Sequence, residues 1–155
     1  MTKEIYRAYY KSPIGWIEIR GNGKEIVSLE FVPKKREETD VDASLNPALQ
    51  QLHEYFIGKR TRFSLKLNFV GTSFQRSIWR RLQKIKFACT ASYQNVAAEV
   101  GRRKAVRAAG SAVGKNKIAI VVPCHRVIAS NGDIAGYAGG IWRKKWLLNH
   151  EKKRT

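Results

Sequence analysis

Cysteine is nearly absent from this 155-residue chain, and acid is scarce. Its two cysteines, Cys89 and Cys124, are too few for the disulfide framework of a small secreted scaffold. No apolar run approaches the roughly 20 residues that cross a membrane. The opening MTKEIYRAYYK lacks the apolar block of a secretory signal. These absences argue against a disulfide-stapled module and against a helical membrane protein. The expectation is a chain kept in a reducing compartment, the cytoplasm or, in a eukaryote, the nucleus. Twelve Asp and Glu stand against 30 Lys and Arg, for a formal charge of +18 and a pI near 10.3. The deficit is local: residues 1–70 hold 9 acidic against 12 basic side chains, and residues 71–155 hold 3 against 18. Adaptation to heat or salt would raise both signs together. A one-sided field concentrates polyanions, so nucleic acid is the favoured partner and the second half its favoured place.

With 43% hydrophobic residues, the chain has material for one core or for two small lobes. Charge and pattern divide it into 1–70 and 71–155. In the first part, GWIEIRGNGKEIVSLEFV alternates apolar and polar around Gly21-Asn22-Gly23, the pattern of a hairpin. KKREETDVD reads as a charged, solvated connection. NPALQQLHEYFIGK places Leu49, Leu52, Tyr55 and Phe56 on one helical face, closed by Gly58. RFSLKLNF alternates as a further strand, and His53 reads as a surface residue. This part carries no catalytic pattern and reads as a supporting lobe. The expected fold class is α/β in the α+β sense, a small mixed strand-helix N-terminal lobe with a mainly helical C-terminal lobe.

The second part opens with GTSFQRSIWRRLQKI. Thr72 and Gln75 fit a capping box, and Phe74, Ile78, Leu82 and Ile85 recur at helical spacing, with Trp79 in the core. In SYQNVAAEVGRRKAVRAAGSAVGKN, Ser92 caps a helix whose inner face is Tyr93, Val96, Ala97 and Val100. Gly101 ends that helix, and a second runs from about Lys104 to Val113 before Gly114. Two short helices about a basic turn form a helix-turn-helix pattern. The outward face of the second helix is smooth, with Arg107 as its one long side chain beside Ala108, Gly110 and Ser111. A major-groove reader carries several long polar side chains. A smooth face suits the minor groove, about 6 Å wide, or insertion of one arginine into a base stack. The bland alternative is a helix–helix contact with Arg107 in a salt bridge.

The run IAIVVPCHRVIAS sets a thiol beside an imidazole. IAIVV reads as a buried strand-like run that Pro123 ends, which puts Cys124 at the mouth of a pocket. A thiol attacks as its thiolate, and its pKa falls beside cations or a paired histidine. Histidine accepts a proton near neutral pH, and adjacent side chains seldom bond directly, so a bridging water suits Cys124 and His125. A carboxylate is the usual group to orient the imidazole, and Glu99, Asp133 and Glu151 are available, the last following an amphipathic WRKKWLLNHE helix. A buried cysteine is often an inert small hydrophobe. A zinc site needs about four ligands, which these residues with Cys89 and His150 supply poorly.

VVPCHRVI, preceded by GTSFQRSIW and followed by GYAGGIWRKKWLLNHE, resembles the O6-alkylguanine-DNA alkyltransferases across Gly71 to Glu151. The N-terminal lobe resembles that family in length and general character. The resemblance implies a DNA repair protein that flips O6-alkylguanine out of the duplex and transfers the alkyl group, once and irreversibly, to its own cysteine. It implies Cys124 as acceptor, His125 as base through a water, Glu151 holding His125, and Asn116 bracing this network. Tyr93 matches the tyrosine that assists extrusion and donates to the departing guanine. Val127, Tyr137, Ala138 and Gly139 match the walls of the guanine pocket. Arg107 matches the arginine that fills the vacated stack. Tyr93, Gln94, Arg102, Arg103, Ala108, Ser111 and Ser130 complete the implied DNA face. The implied partner is double-stranded DNA carrying O6-alkylguanine, with O4-alkylthymine a further candidate substrate. The implied protein is a monomer with no cofactor, no metal and no membrane attachment.

The sequence departs from the family pattern in three places. The usual Gly-Asn-Pro-Lys turn is Gly-Arg-Arg-Lys here, which removes an asparagine contact and adds two phosphate-directed arginines. Ala138 stands where some members have serine, which leaves backbone alone to meet O6. Cys89 lies in KFACTASY, where glycine and a charged residue are more usual, and reads as structural.

Overall fold

The computed structural model describes residues 4–36, 42–134 and 136–154. The chain divides into two compact units, Met1–Phe69 and Val70–Thr155. Among the described residues no helix is long and apolar enough to cross a membrane.

The first unit is an antiparallel sheet of β1 (Tyr6–Ser12), β2 (Gly15–Gly21) and β3 (Ile26–Val32), in that order, with α1 (Asn46–Phe56). The expected hairpin is the β2–β3 pair. Its turn is closed by Asn22, whose side-chain oxygen accepts from the backbone N–H of Lys24 and Glu25 at 3.0 and 2.8 Å. Gly21 is required there, because a Cβ would lie 2.8 Å from Leu45 Cδ2 and 3.1 Å from the Glu25 carbonyl. Ala8 pairs with Ile19 and Ile19 with Leu29, so one apolar face runs across the three strands. Ile17, Ile19 and Leu29 are fully buried, and each such side chain contributes about 2 kcal/mol of transfer free energy. Helix α1 buries Ala48, Gln51, Leu52, Tyr55 and Phe56, leaving Leu49 half-buried at the edge of the face. Phe56 stacks on Tyr10 at 5.7 Å, and His53 is exposed. Gly58, at φ 80°, closes the helix as expected.

Two expectations change in this unit. RFSLKLNF does not form a strand. It touches β3 at a single bridge, Ile26 to Leu67, because Gln51 already engages the backbone of Ser64, accepting from its N–H at 2.9 Å and donating to its carbonyl at 3.3 Å. Strand β1 is an addition, since Tyr6–Ser12 has too mixed a pattern to stand out. The middle of KKREETDVD, residues 37–41, lies outside the described residues.

The second unit is helical. Its elements are α2 (Ser73–Leu82), α3 (Tyr93–Glu99), α4 (Val106–Gly114) and α5 (Ile141–Lys153), with short strands β4 (Ala91–Ser92) and β5 (Val127–Ile128) pairing in parallel. Thr72 and Gln75 form the full capping box of α2. Trp79 is buried and donates from Nε1 to the Ala112 carbonyl of α4 at 2.8 Å. Ser92 caps α3 by accepting from Asn95 N–H at 2.9 Å. Gly101, at φ 75°, ends that helix and starts the turn to α4. Helix α4 begins at Val106 rather than near Lys104, and it runs through Gly114 to cap at Lys115. Ala109, Ala112 and Val113 are buried, and Arg107, Ala108 and Ser111 are exposed, so α4 has the smooth outer face expected of it.

Candidate active site

Asn116 builds the floor of the site. Its side-chain nitrogen donates to the carbonyls of Val122 and Ile118 at 2.9 and 3.3 Å, and its oxygen accepts from Ile118 N–H at 2.9 Å. One amide therefore winds residues 118–122 into a buried coil, with Ile120 at φ 69°. The expected strand over IAIVV does not form, because these backbone groups are satisfied by Asn116 and by local turns instead of a neighbouring strand. Pro123 leads from the coil into a single 3-10 turn, Cys124–Arg126.

Cys124 is 8% exposed, deeper than a pocket mouth. Burial raises its thiol above the ordinary range, and Asn116 and Lys144 only partly offset this. The resting sulfur is therefore a thiol, not the depressed-pKa thiolate the sequence suggested, and it needs a base. His125 follows it, fully buried, with Nε2 2.6 Å from Glu151 Oε2. Burial lowers the imidazole pKa against the opposing pull of the Glu151 hydrogen bond and charge. A neutral imidazole donating from Nε2 to a carboxylate leaves the Nδ1 lone pair open. That Nδ1 is buried without a hydrogen-bond partner among the described residues.

Glu151 lies within α5, in its last turns, and not beyond the helix. The buried side chains of α5 are Lys144, Leu147, His150 and Glu151, so its inner face is largely polar rather than amphipathic. The Glu151 carboxylate accepts from His125, from Arg126 Nε and Nη2 at 2.8 and 3.0 Å, and from Ala88 N–H at 3.1 Å. Burial alone would raise this carboxyl, but the bonds and charges of His125 and Arg126 hold it well below the usual carboxylate range. Of the other two carboxylates weighed, Glu99 faces Arg81 at 3.8 Å on the surface, and Asp133 is exposed beside Asn131. Arg126 also donates from Nη1 to the Ile85 carbonyl at 2.7 Å.

Arg126, Lys144 and the Ala88 N–H belong to this cluster and were missed in the sequence. Arg126 lay in plain view, next to His125. Ala88 gives no signal, since its left-handed backbone, φ 63°, falls on a residue with no preference for it. The sequence offered no reason to bury a lysine.

Tyr93 opens α3 half-buried. A Cβ on Gly110 of α4 would lie 3.6 Å from its ring, and one on Gly136 would lie 3.7 Å from its hydroxyl. Burial first, then the charge of Cys124, raises its pKa. Tyr137 has a buried hydroxyl with no partner among the described residues, and its pKa is raised well above the ordinary value, mainly by burial. Val127 is fully buried, Ala138 is exposed, and the Gly139 carbonyl accepts from Arg143 at 2.8 Å. Asn116, Cys124, His125 and Glu151 thus gather in one buried cluster with Tyr93 close by. Gln94, Arg102, Arg103, Arg107, Ala108, Ser111 and Ser130 are all exposed. Arg102 rests over the Phe74 ring at 5.8 Å. Cys89, expected to be structural, is exposed. Among the described residues no group of three or more His, Cys, Asp or Glu could hold a metal ion.

The arrangement pairs a buried thiol with a neutral, fixed imidazole whose one open nitrogen has lost every partner. It suits removal of a proton from sulfur only when something occupies the space beside it.

Residues 73–153 match the family model described as 6-O-methylguanine DNA methyltransferase, DNA binding domain. Residues 5–69 match the model of its ribonuclease-like domain, which extends the likeness to the N-terminal unit. A methylated-DNA–protein-cysteine methyltransferase from Mycolicibacterium paratuberculosis is 41% identical, over 93% of this chain and 90% of the relative. A crystal structure of Mycobacterium tuberculosis O6-methylguanine methyltransferase superposes with a TM-score of 0.90 at 38% identity, covering 98% of this chain and 95% of the other. A structure of Mycobacterium tuberculosis OGT in complex with DNA gives 0.87 at 38% identity, covering 97% and 94%.

Proposed function

Since the chain belongs to the methylated-DNA–protein-cysteine methyltransferase family, we propose that it repairs O6-alkylguanine in duplex DNA by moving the alkyl group to Cys124. The unit 71–155 binds DNA and carries the transfer, and the unit 1–70 supports it. The flipped guanine enters beside Cys124, against Tyr137, Ala138, Gly139 and the backbone of Val127. With Ala138 in place of serine, backbone alone meets O6.

The Cys124 proton passes through a water to His125 Nδ1, and Glu151 stabilises the imidazolium that results. The sulfur attacks the alkyl carbon, an S–C bond forms, and the C–O6 bond breaks with its electron pair left on the guanine. Tyr93 supplies a proton to the guanine. In net terms, one S–H and one C–O bond become one S–C and one N–H bond. A thioether is not reversed by this chemistry, so each protein acts once, without cofactor.

Exposed Ala108 and Ser111 let α4 come close to the minor groove, Arg107 fills the gap left by the flipped base, and Arg102 and Arg103 meet phosphates. The protein works as a monomer in the compartment that holds the genome, cytoplasmic in a prokaryote. O4-alkylthymine is a second candidate substrate.

The orphaned His125 Nδ1 beside a buried, protonated thiol, with Glu151 on the other ring nitrogen, carries this reading. Its test is intact mass after incubation with an O6-methylguanine duplex. One methyl at Cys124, with one equivalent of DNA repaired, is the expected result. Multiple turnovers, or a methyl mapped to Cys89, would overturn it.

A further inference from the structure

The transfer chemistry leaves one buried charge unused. Lys144 is 0% exposed, whereas lysine is almost never fully buried unless it is paired. It stands seven residues before Glu151, so two turns of α5 put both on the same face. Its Nζ donates to the Gly136 carbonyl at 3.2 Å and lies 5.8 Å from the centre of the Tyr93 ring. A Cβ on Gly136 would in turn meet the Tyr93 hydroxyl at 3.7 Å, so loop, tyrosine and lysine are mutually packed.

We propose that Lys144 is a positioning residue and the counter-charge of the reactive sulfur, latching Gly136 to α5 and setting a buried ammonium beside Tyr93 and Cys124. The inference rests on Cys124 being the alkyl acceptor. The titratable and charged groups around Lys144 are Tyr93 from α3, Cys124, His125 and Arg126 from the 3-10 turn, Tyr137 from the loop, and Arg143 and Glu151 from α5. Glu151 is already engaged by His125, Arg126 and Ala88. Burial pushes Lys144 below the ordinary lysine range, while Cys124 pulls it back up. Reciprocally, Lys144 favours the Cys124 thiolate and opposes the His125 imidazolium. Lysine and thiol therefore titrate as a coupled pair. When sulfur gives up its proton through water to His125, the charge left on sulfur is met by an ammonium that neither gains nor loses a proton.

The test reads the thiol directly. In the full chain carrying Cys89→Ser, so that Cys124 is the one cysteine, the rate of alkylation by iodoacetamide is followed against pH. Lys144→Gln keeps a donor for Gly136 without charge, Lys144→Met removes both, and Lys144→Arg keeps the charge. Circular dichroism and thermal melting establish that each is folded, and Lys144→Gln serves alone if Lys144→Met is not. The midpoint is expected to rise by about one pH unit in both neutral variants and to stay near the parent value in Lys144→Arg. At a fixed pH below the midpoint, methyl transfer from duplex is expected to fall by roughly tenfold with the thiolate fraction. Neutral variants with the parental midpoint would make Lys144 merely structural and overturn the proposal. A rise in Lys144→Met without one in Lys144→Gln would assign the effect to the Gly136 bond and overturn the counter-charge. Iodoacetamide needs no DNA. A shifted midpoint in a chain that takes no methyl from duplex would therefore sink Cys124 as acceptor while upholding the hold of Lys144 on the sulfur.

Discussion

Arg126 grips Glu151 along two hydrogen bonds, Nε to Oε1 at 2.8 Å and Nη2 to Oε2 at 3.0 Å, with both side chains buried. The fork fixes the plane of the carboxylate, and that plane aims Oε2 at His125. The imidazole is thus oriented at one remove, by an arginine two residues after the thiol.

Glu151→Gln and Arg126→Met should separate chemistry from folding. Glu151→Gln loses the acceptor that fixes the ring, and methyl transfer should slow by a factor on the order of 100, with duplex affinity little changed. Arg126→Met leaves a buried carboxylate without its main countercharge, and unfolding by urea should show a loss of about 3–5 kcal/mol. Equal losses of transfer and affinity in Glu151→Gln would point to a folding defect and remove Glu151 from the mechanism.

Acid should weaken the fold in two stages. Folded His125 has a lowered pKa, so the unfolded chain takes up its proton first, and stability declines as pH falls through the ordinary histidine range near 6.5. Folded Glu151 is also depressed, so its contribution is fully present above the ordinary glutamate range near 4.3 and drains away below it. Urea midpoints between pH 3 and 8 should trace both declines. Glu151→Gln should flatten the lower one. A parent whose stability is unchanged from pH 8 to 5 would contradict the neutral, buried state of His125.

Arginines of the turn and of α4 should differ in kind. Each phosphate contact contributes roughly 0.9 to the log–log salt slope on duplex DNA. Arg102→Ala with Arg103→Ala should lower that slope by up to about 1.8 and weaken all duplexes alike. Arg107→Ala should chiefly slow repair of a paired lesion, since nothing then fills the space of the flipped base. Reaction with free O6-benzylguanine needs no flipping and should survive both changes. Parental repair of duplex by Arg107→Ala would reduce Arg107 to one more phosphate contact.

What was legible in the sequence was local. The Thr72–Gln75 box, the Ser92 cap, the Asn22 turn and the Gly58 stop each depend on residues within a few positions, and each forms. Helical periodicity likewise reported the buried faces of α1 to α4. The failures came where a side chain reached across the chain to take a backbone partner. Gln51 does so at Ser64, and Asn116 does so across residues 118–122, and in both places an alternating or apolar run that promised a strand became something else. At the site, Glu151 was one of three carboxylates until a length of 26 residues was folded back to His125. Lys144 was invisible because a lysine on a basic helix reads as solvated.

The order of the site along the chain has a further consequence. Cys124 leaves the ribosome well before Glu151, which reaches His125 only when α5 has formed and docked. During that interval the imidazole has no fixed orientation and the sulfur no base aimed at it. A reagent that is spent by its first alkylation is thereby kept inert through synthesis, and it is armed by the last helix.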